Sequence, residues 1–105
     1  MVNKPAKAAN GPVPARLREV RRAERIPTAA DFALLLGASP ARYGNIESGA
    51  YKLSIAVAHA IVEAVPGMTL DWLYYGRTGG LERSLRDRLT AAREEIAGEA
   101  RRLAR

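Results

Sequence analysis

Between residues 14 and 76 this chain cannot build a long helix. Pro27, Gly37, Gly49, the Pro66–Gly67 pair and Gly76 cut it into segments of roughly eight to sixteen residues. Proline has no amide hydrogen to continue a helix, and glycine takes the left-handed backbone on which helices end. Within the segments the apolar residues recur at helical spacing. No period-two run of β-branched residues marks a strand. The expectation is an all-α fold of short helices joined by tight connections.

The punctuation places each helix. The first covers about Pro14 to Arg25, with proline near its start and Pro27 as its stop. Leu17, Val20 and Ala23 share one face, and arginines fill the others. The second begins at Thr28, with Asp31 at capping-box spacing. Phe32, Leu35 and Leu36 are expected inward, Ala33 is small, and Gly37 ends the helix. The third starts at Ser39, a good N-cap, so Pro40 falls at the first helical position and is a start signal. Gly49 closes it. The fourth runs from Ser54 to Val65, with Ile55, Ala58, Ile61, Val62 and Val65 inward. The fifth is the short "TLDWLYYG", capped by Thr69, with Leu70, Trp72 and Leu73 in the core.

The chain has 105 residues and no cysteine, and it carries a net charge of +6. One histidine, His59, makes no metal cluster by itself and reads as a surface side chain. No run of about 18 apolar residues could span a bilayer, and residues 1 to 14 hold no apolar block of a leader; a cytoplasmic, nucleoid-associated protein is the expectation. The positive charge suits a phosphate backbone, an anionic membrane or a plain solvated surface, and charge alone does not choose among them.

The second and third helices carry the most information. Two short helices joined by about three residues make a helix-turn-helix. Ala33 allows close approach, Gly37 takes the unusual turn dihedral, and Ala38, Tyr43 and Ile46 plug the second helix into the core. Ala41, Gly44, Asn45 and Ser48 are left on the outer face, with Arg42 on its flank. A helix held this way protrudes and can enter a major groove.

Residues 16 to 76 resemble the lambda-repressor/Cro-type (xenobiotic-response-element type) helix-turn-helix transcriptional regulators. The matching pieces are "TAADFALLLGASPARYGNIESG" and "MTLDWLYYG". The resemblance implies a compact five-helix domain over residues 14–76, with the motif at about 28–48, that binds double-stranded DNA as a homodimer. It places Thr28 and Ala29 beside the DNA backbone and residues Ser39 to Asn45 toward the groove. It also implies an ion pair between Glu47 and Arg22 that ties the third helix to the first. Where many relatives carry glutamine, this chain has Ala29 and Pro40, which donate no side-chain hydrogen bond. The expected DNA-binding set is therefore Thr28, Ser39, Pro40, Ala41, Arg42, Gly44, Asn45 and Lys52. Asn45 would read an adenine edge, Arg42 a guanine or a phosphate, and Ala41 a thymine methyl. Lys52, Ser39, Thr28 and the arm lysines Lys4 and Lys7 would meet phosphates.

Two segments flank this domain. Residues 1–13 read as a flexible basic arm. Residues 77–105 read as a C-terminal amphipathic helix, because Leu81, Leu85, Leu89, Ala92, Ile96, Ala100 and Leu103 form one stripe with an eleven-residue period. The stripe either packs on the first and fifth helices or pairs with its twin; dimerisation is the expectation. No nucleophile–base pair, phosphate loop, cofactor motif or small-molecule site is evident, so no enzyme is expected and a repressor is. The runner-up is a helix-turn-helix protein-interaction module, adaptor or antitoxin-like, docking through the C-terminal stripe.

Overall fold

The computed structural model describes residues 11–104. Lys4 and Lys7, expected to serve in a basic arm, lie outside the described residues. The described chain is all-helical, with six helices and no strand. These are α1 (Val13–Ala23), α2 (Ala29–Leu36), α3 (Pro40–Ser48), α4 (Ile55–Ala64), α5 (Leu70–Tyr75) and α6 (Arg83–Leu103).

Local chemistry sets most of the boundaries. Four helices start on a hydroxyl cap. Thr28 Oγ1 accepts the Asp31 amide at 3.0 Å and Ser39 Oγ accepts that of Arg42 at 3.2 Å. Ser54 and Thr69 do the same for Val57 and Trp72. Each cap satisfies one of the amides that a helix start leaves unpaired. Three helices end on glycine in the left-handed region: Gly37, Gly49 and Gly76.

The end of α1 differs from the expectation. Pro27 does not stop it; the helix closes earlier, at Ala23. Arg25 adopts φ 60°. The Ile26 amide donates to the Arg21 carbonyl at 3.0 Å and the Arg25 amide to that of Arg22 at 3.1 Å. This is a Schellman termination with arginine where glycine is usual.

One core joins the helices. Leu17, Val20, Phe32, Tyr43, Ile46, Ile61, Trp72 and Leu73 are all essentially inaccessible to solvent. Phe32 and Tyr43 meet edge to face, with centroids 5.4 Å apart. Two expected core residues are outside it. Leu35 is 59% exposed and Ile55 58%. In α2 the buried arc lies between Phe32 and Ala33, and Leu35 is turned about 110° from its centre. In α4 the arc is set by Val57, Ala58 and Ile61, which leaves Ile55 beyond its edge.

The first part of the C-terminal stripe packs back on its own chain, one of the two courses open to it. Leu81, Leu85, Leu89 and Ala92 are buried within the chain, and α6 packs along α1. Only the distal part of the stripe remains open: Ile96 is half-buried, and Ala100 and Leu103 are exposed. Ion pairs reinforce this packing. Arg93 meets Glu19 at 3.4 Å, Arg88 meets Glu24, and Arg22 meets Glu99 at 2.8 Å and Glu95 at 3.4 Å. The first four stripe residues are thus spent inside the chain and are not a free face for a twin.

Before α6 the chain must pass close to the α4–α5 turn. The Glu82 amide donates to the Gly67 carbonyl at 3.1 Å. Gly67 has φ 86°, and a Cβ there would lie 2.3 Å from the Glu82 Cβ. Glu82 then caps α6, its Oε1 accepting from the Leu85 amide at 3.1 Å and from the Ser84 hydroxyl at 2.7 Å. No helix among the described residues is long and apolar enough to cross a membrane.

Gly67→Ala is expected to lower stability by about 2 kcal/mol or more, because left-handed strain and a clash act together. Gly79→Ala, with open space around it, is the control and should change little. Urea unfolding of both variants measures the difference. Acid should also loosen the α6 attachment. Arg22 holds the Glu99 carboxyl below the usual range, and the Ser84 hydroxyl with the Leu85 amide does so for Glu82. A lowered carboxylate pKa stabilises the fold above the unfolded-state value and loses that contribution as pH falls through the folded one. The melting temperature is therefore expected to drop from about pH 5 downward. Glu99→Gln should show a smaller drop over the same range.

Candidate nucleic-acid interface

Three residues, Gly37 to Ser39, separate α2 from α3, and these two helices pack closely. The turn works because Gly37 is left-handed and its amide, with that of Ala38, returns to α2: Gly37 N to Leu34 O at 3.1 Å and Ala38 N to Ala33 O at 2.9 Å. Ser39 then caps α3, with Pro40 at its first position. The sequence reading of Gly37 as a left-handed end, Ser39 as a cap and Pro40 as a first helical residue agrees with the structure.

α3 is anchored along one side. Tyr43 and Ile46 are buried, and Glu47 is a buried carboxylate. Arg21 binds it as a fork, with Nε 3.1 Å from both oxygens and Nη2 2.9 Å from Oε1. The Tyr43 hydroxyl donates to Oε2 at 2.9 Å. Burial and the neighbouring Glu47 charge raise the Tyr43 pKa, so the phenol stays protonated and keeps donating. Arg21 Nη1 also reaches the Pro27 carbonyl at 2.8 Å, and Arg18 Nη1 reaches the Glu47 carbonyl at 3.0 Å.

The partner of Glu47 is therefore Arg21, and the expected Arg22–Glu47 pair does not form. The reason is the helical turn. Arg21 lies four residues after buried Leu17, so it continues the buried face toward α3. Arg22 is rotated about 100° further, onto the face that meets α6, where it takes Glu99 and Glu95. A match by family position is one residue off here, and a count along the helix from Leu17 would have found it.

The remaining candidates sit where a partner could reach them. Thr28, Ser39, Pro40, Ala41, Arg42 and Lys52 are exposed. Gly44 and Asn45 are half-buried, and the Asn45 carbonyl accepts from the Tyr51 amide at 3.0 Å. That bond ties the loop carrying Lys52 to the end of α3. Thr28 and Ser39 use their oxygens as caps, which leaves each hydroxyl hydrogen free to donate. Arg42 and Lys52 have no ion-pair partner among the described residues. A shallow hollow of about 290 Å³ runs beside Ser39, Arg42 and Ser54. Nothing lies within 4 Å of a Cβ built on Gly44, so packing does not demand glycine there. Asp31 is exposed in the first turn of α2, and its charge would disfavour an anion placed beside Thr28.

Sequence reasoning missed Arg16. Its Nε and Nη2 donate to the Leu73 and Tyr74 carbonyls at 3.1 and 3.0 Å. It thereby caps the end of the short α5 from the side, and burial lowers its pKa. Tyr74 is a second surprise, because its hydroxyl donates to the Leu53 carbonyl at 2.9 Å. No local pattern signals either bond.

Arg21→Ala is expected to cost about 3–5 kcal/mol, since it strands the buried Glu47 charge. Arg22→Ala, which removes exposed ion pairs, should cost no more than about 1 kcal/mol. Denaturant unfolding of the two variants distinguishes the observed pairing from the expected one.

No family model, curated protein or solved structure matches the chain.

Proposed function

We propose that this chain is a sequence-specific double-stranded DNA-binding regulator of the lambda-repressor/Cro type, acting as a dimeric repressor and reading the major groove with α3. One observation carries the reading. Two short capped helices meet at a three-residue glycine turn, and the second is pinned by Tyr43, Ile46 and Glu47 with its opposite side open. A rigid helix presented on a small core is what entry into a major groove requires. The net charge of +6 adds non-specific attraction to phosphate. Arg42 and Asn45 are the base-reading side chains. Thr28, Ser39 and Lys52 hold the backbone, and Pro40, Ala41 and Gly44 give close, nearly flat contact.

A second reading has its own observation. Leu34 and Leu35 on α2 are 70% and 59% exposed, an apolar cost that a partner protein would offset. In that case the same scaffold is a protein-interaction module.

Selection of bound duplexes from a random pool decides between them. The DNA reading expects an enriched motif with two-fold symmetry; binding that is salt-sensitive but indifferent to sequence would overturn it. Arg42→Ala and Asn45→Ala should each weaken the selected site by roughly tenfold, about 1.4 kcal/mol, and relax preference at one base position. Lys52→Ala should weaken all sequences alike and reduce the salt slope by about one. Gly44→Ala should stabilise the fold by about 1 kcal/mol yet lose affinity, because its methyl would stand between helix and groove.

A further inference from the structure

A cavity of about 540 Å³ opens between the end of α1 and the distal half of α6. Four of its lining residues are arginines: Arg18, Arg21, Arg22 and Arg25. Ile96 contributes an apolar wall and Glu99 the single carboxylate on the lining.

The four guanidiniums are not equally satisfied. Arg21 is committed to Glu47 and to the carbonyls of Ile26 and Pro27. Arg22 is held by Glu99, with Nη1 and Nη2 each 2.8 Å from a carboxylate oxygen. Arg18 donates to a carbonyl oxygen, that of Glu47, and has no ion-pair partner among the described residues. Arg25 has no ion-pair partner among the described residues. Arg18 and Arg25 thus line one concave space with no ion-pair partner among the described residues, where like charges repel and an anion would relieve them.

Glu99 shows what chemistry the space accepts. Its carboxylate already lies in the cavity as a two-toothed ligand of a guanidinium. Planar forks of this kind suit carboxylates and phosphates equally. Arg25 stands at the left-handed position of the α1 terminus, where glycine would fit without strain, so its presence has a conformational cost.

We propose that this cavity binds a small oxyanion with two negative charges, a phosphate ester or a dicarboxylate. Arg25 and Arg18 hold it directly, and Arg22 is shared between it and Glu99. Arg18 and Arg21 also grip Glu47 at the end of α3, so an occupant bears on the helix that carries the candidate interface. The inference does not rest on the DNA reading, because its test contains no DNA.

The probes are phenyl phosphate and succinate, added to the isotope-labelled full chain at constant ionic strength and followed by NMR. Saturable 1:1 shifts are expected at the Arg18, Arg22 and Arg25 side chains and at the Ile96 and Glu99 amides. Arg25→Gly should weaken binding at least tenfold. Glycine suits the left-handed backbone, so this variant keeps or raises the melting temperature and any loss is not misfolding. Glu99→Gln should tighten binding several-fold, as it removes the competing carboxylate. Arg42→Ala, on α3, should leave affinity unchanged. Linear, non-saturating shifts, unaltered affinity in Arg25→Gly, or an equal loss in Arg42→Ala would each overturn the site.

Discussion

The fork of Arg21 on Glu47 is the interaction on which the rest of the arrangement depends. Glu47 is nearly withdrawn from water, with a side chain 7% exposed. A carboxylate so placed is tolerable only when charge and hydrogen bonds are supplied to it. Arg21 and the Tyr43 hydroxyl supply them. The same guanidinium holds the chain between α1 and α2 through the Ile26 and Pro27 carbonyls. One side chain therefore fixes the end of α3, the exit of α1 and the approach to α2. Apolar packing of Tyr43 and Ile46 would keep α3 attached, but it is non-directional. The fork gives α3 a definite axial position.

α1 extends that principle around its whole circumference. Arg16 reaches α5, Arg18 and Arg21 reach α3, and Glu19 and Arg22 reach α6. A helix that looks from composition like a basic surface is mostly a set of internal connectors. This bears on the meaning of the net charge. Four arginines of α1 are engaged with other parts of the fold, so among the described residues the cations on the α3 side without an ion-pair partner are Arg42 and Lys52. On the proposed DNA-binding reading, an interface built on so few groups would draw affinity from close backbone fit as much as from charge, which is the role proposed for Pro40, Ala41 and Gly44.

What was legible in the sequence was what neighbours along the chain decide. Thr28, Ser39, Ser54 and Thr69 act on amides three residues away, and Gly37, Gly49 and Gly76 act on their own dihedrals. Such effects are independent of the rest of the fold. The inward positions of Phe32, Tyr43, Ile46 and Trp72 followed from apolar size at helical spacing. Leu35 and Ile55 broke the same rule because spacing defines a stripe but not where its edge meets a neighbour. The position-by-position match to a family put Arg22 opposite Glu47, and a rotation of one residue about α1 made it Arg21. Arg16, Tyr74 and the cavity of arginines left no trace in the sequence, since each joins residues far apart in the chain.

By itself, then, the sequence determined an all-helical chain, the start and end of its short helices apart from the end of α1, and a turn of three residues that presents α3. Those outcomes rest on backbone conformation and on hydrogen bonds spanning a turn or less. Only the tertiary structure decided which charge meets which, and where the last amphipathic helix goes. Leu81, Leu85, Leu89 and Ala92 form a stripe that would suit a twin or a neighbour equally well, because burial rewards any apolar surface. The choice fell to α1, whose Glu19, Arg22 and Glu24 stand opposite Arg93, Glu99 and Arg88, so that the nearest complementary face was already part of the same chain.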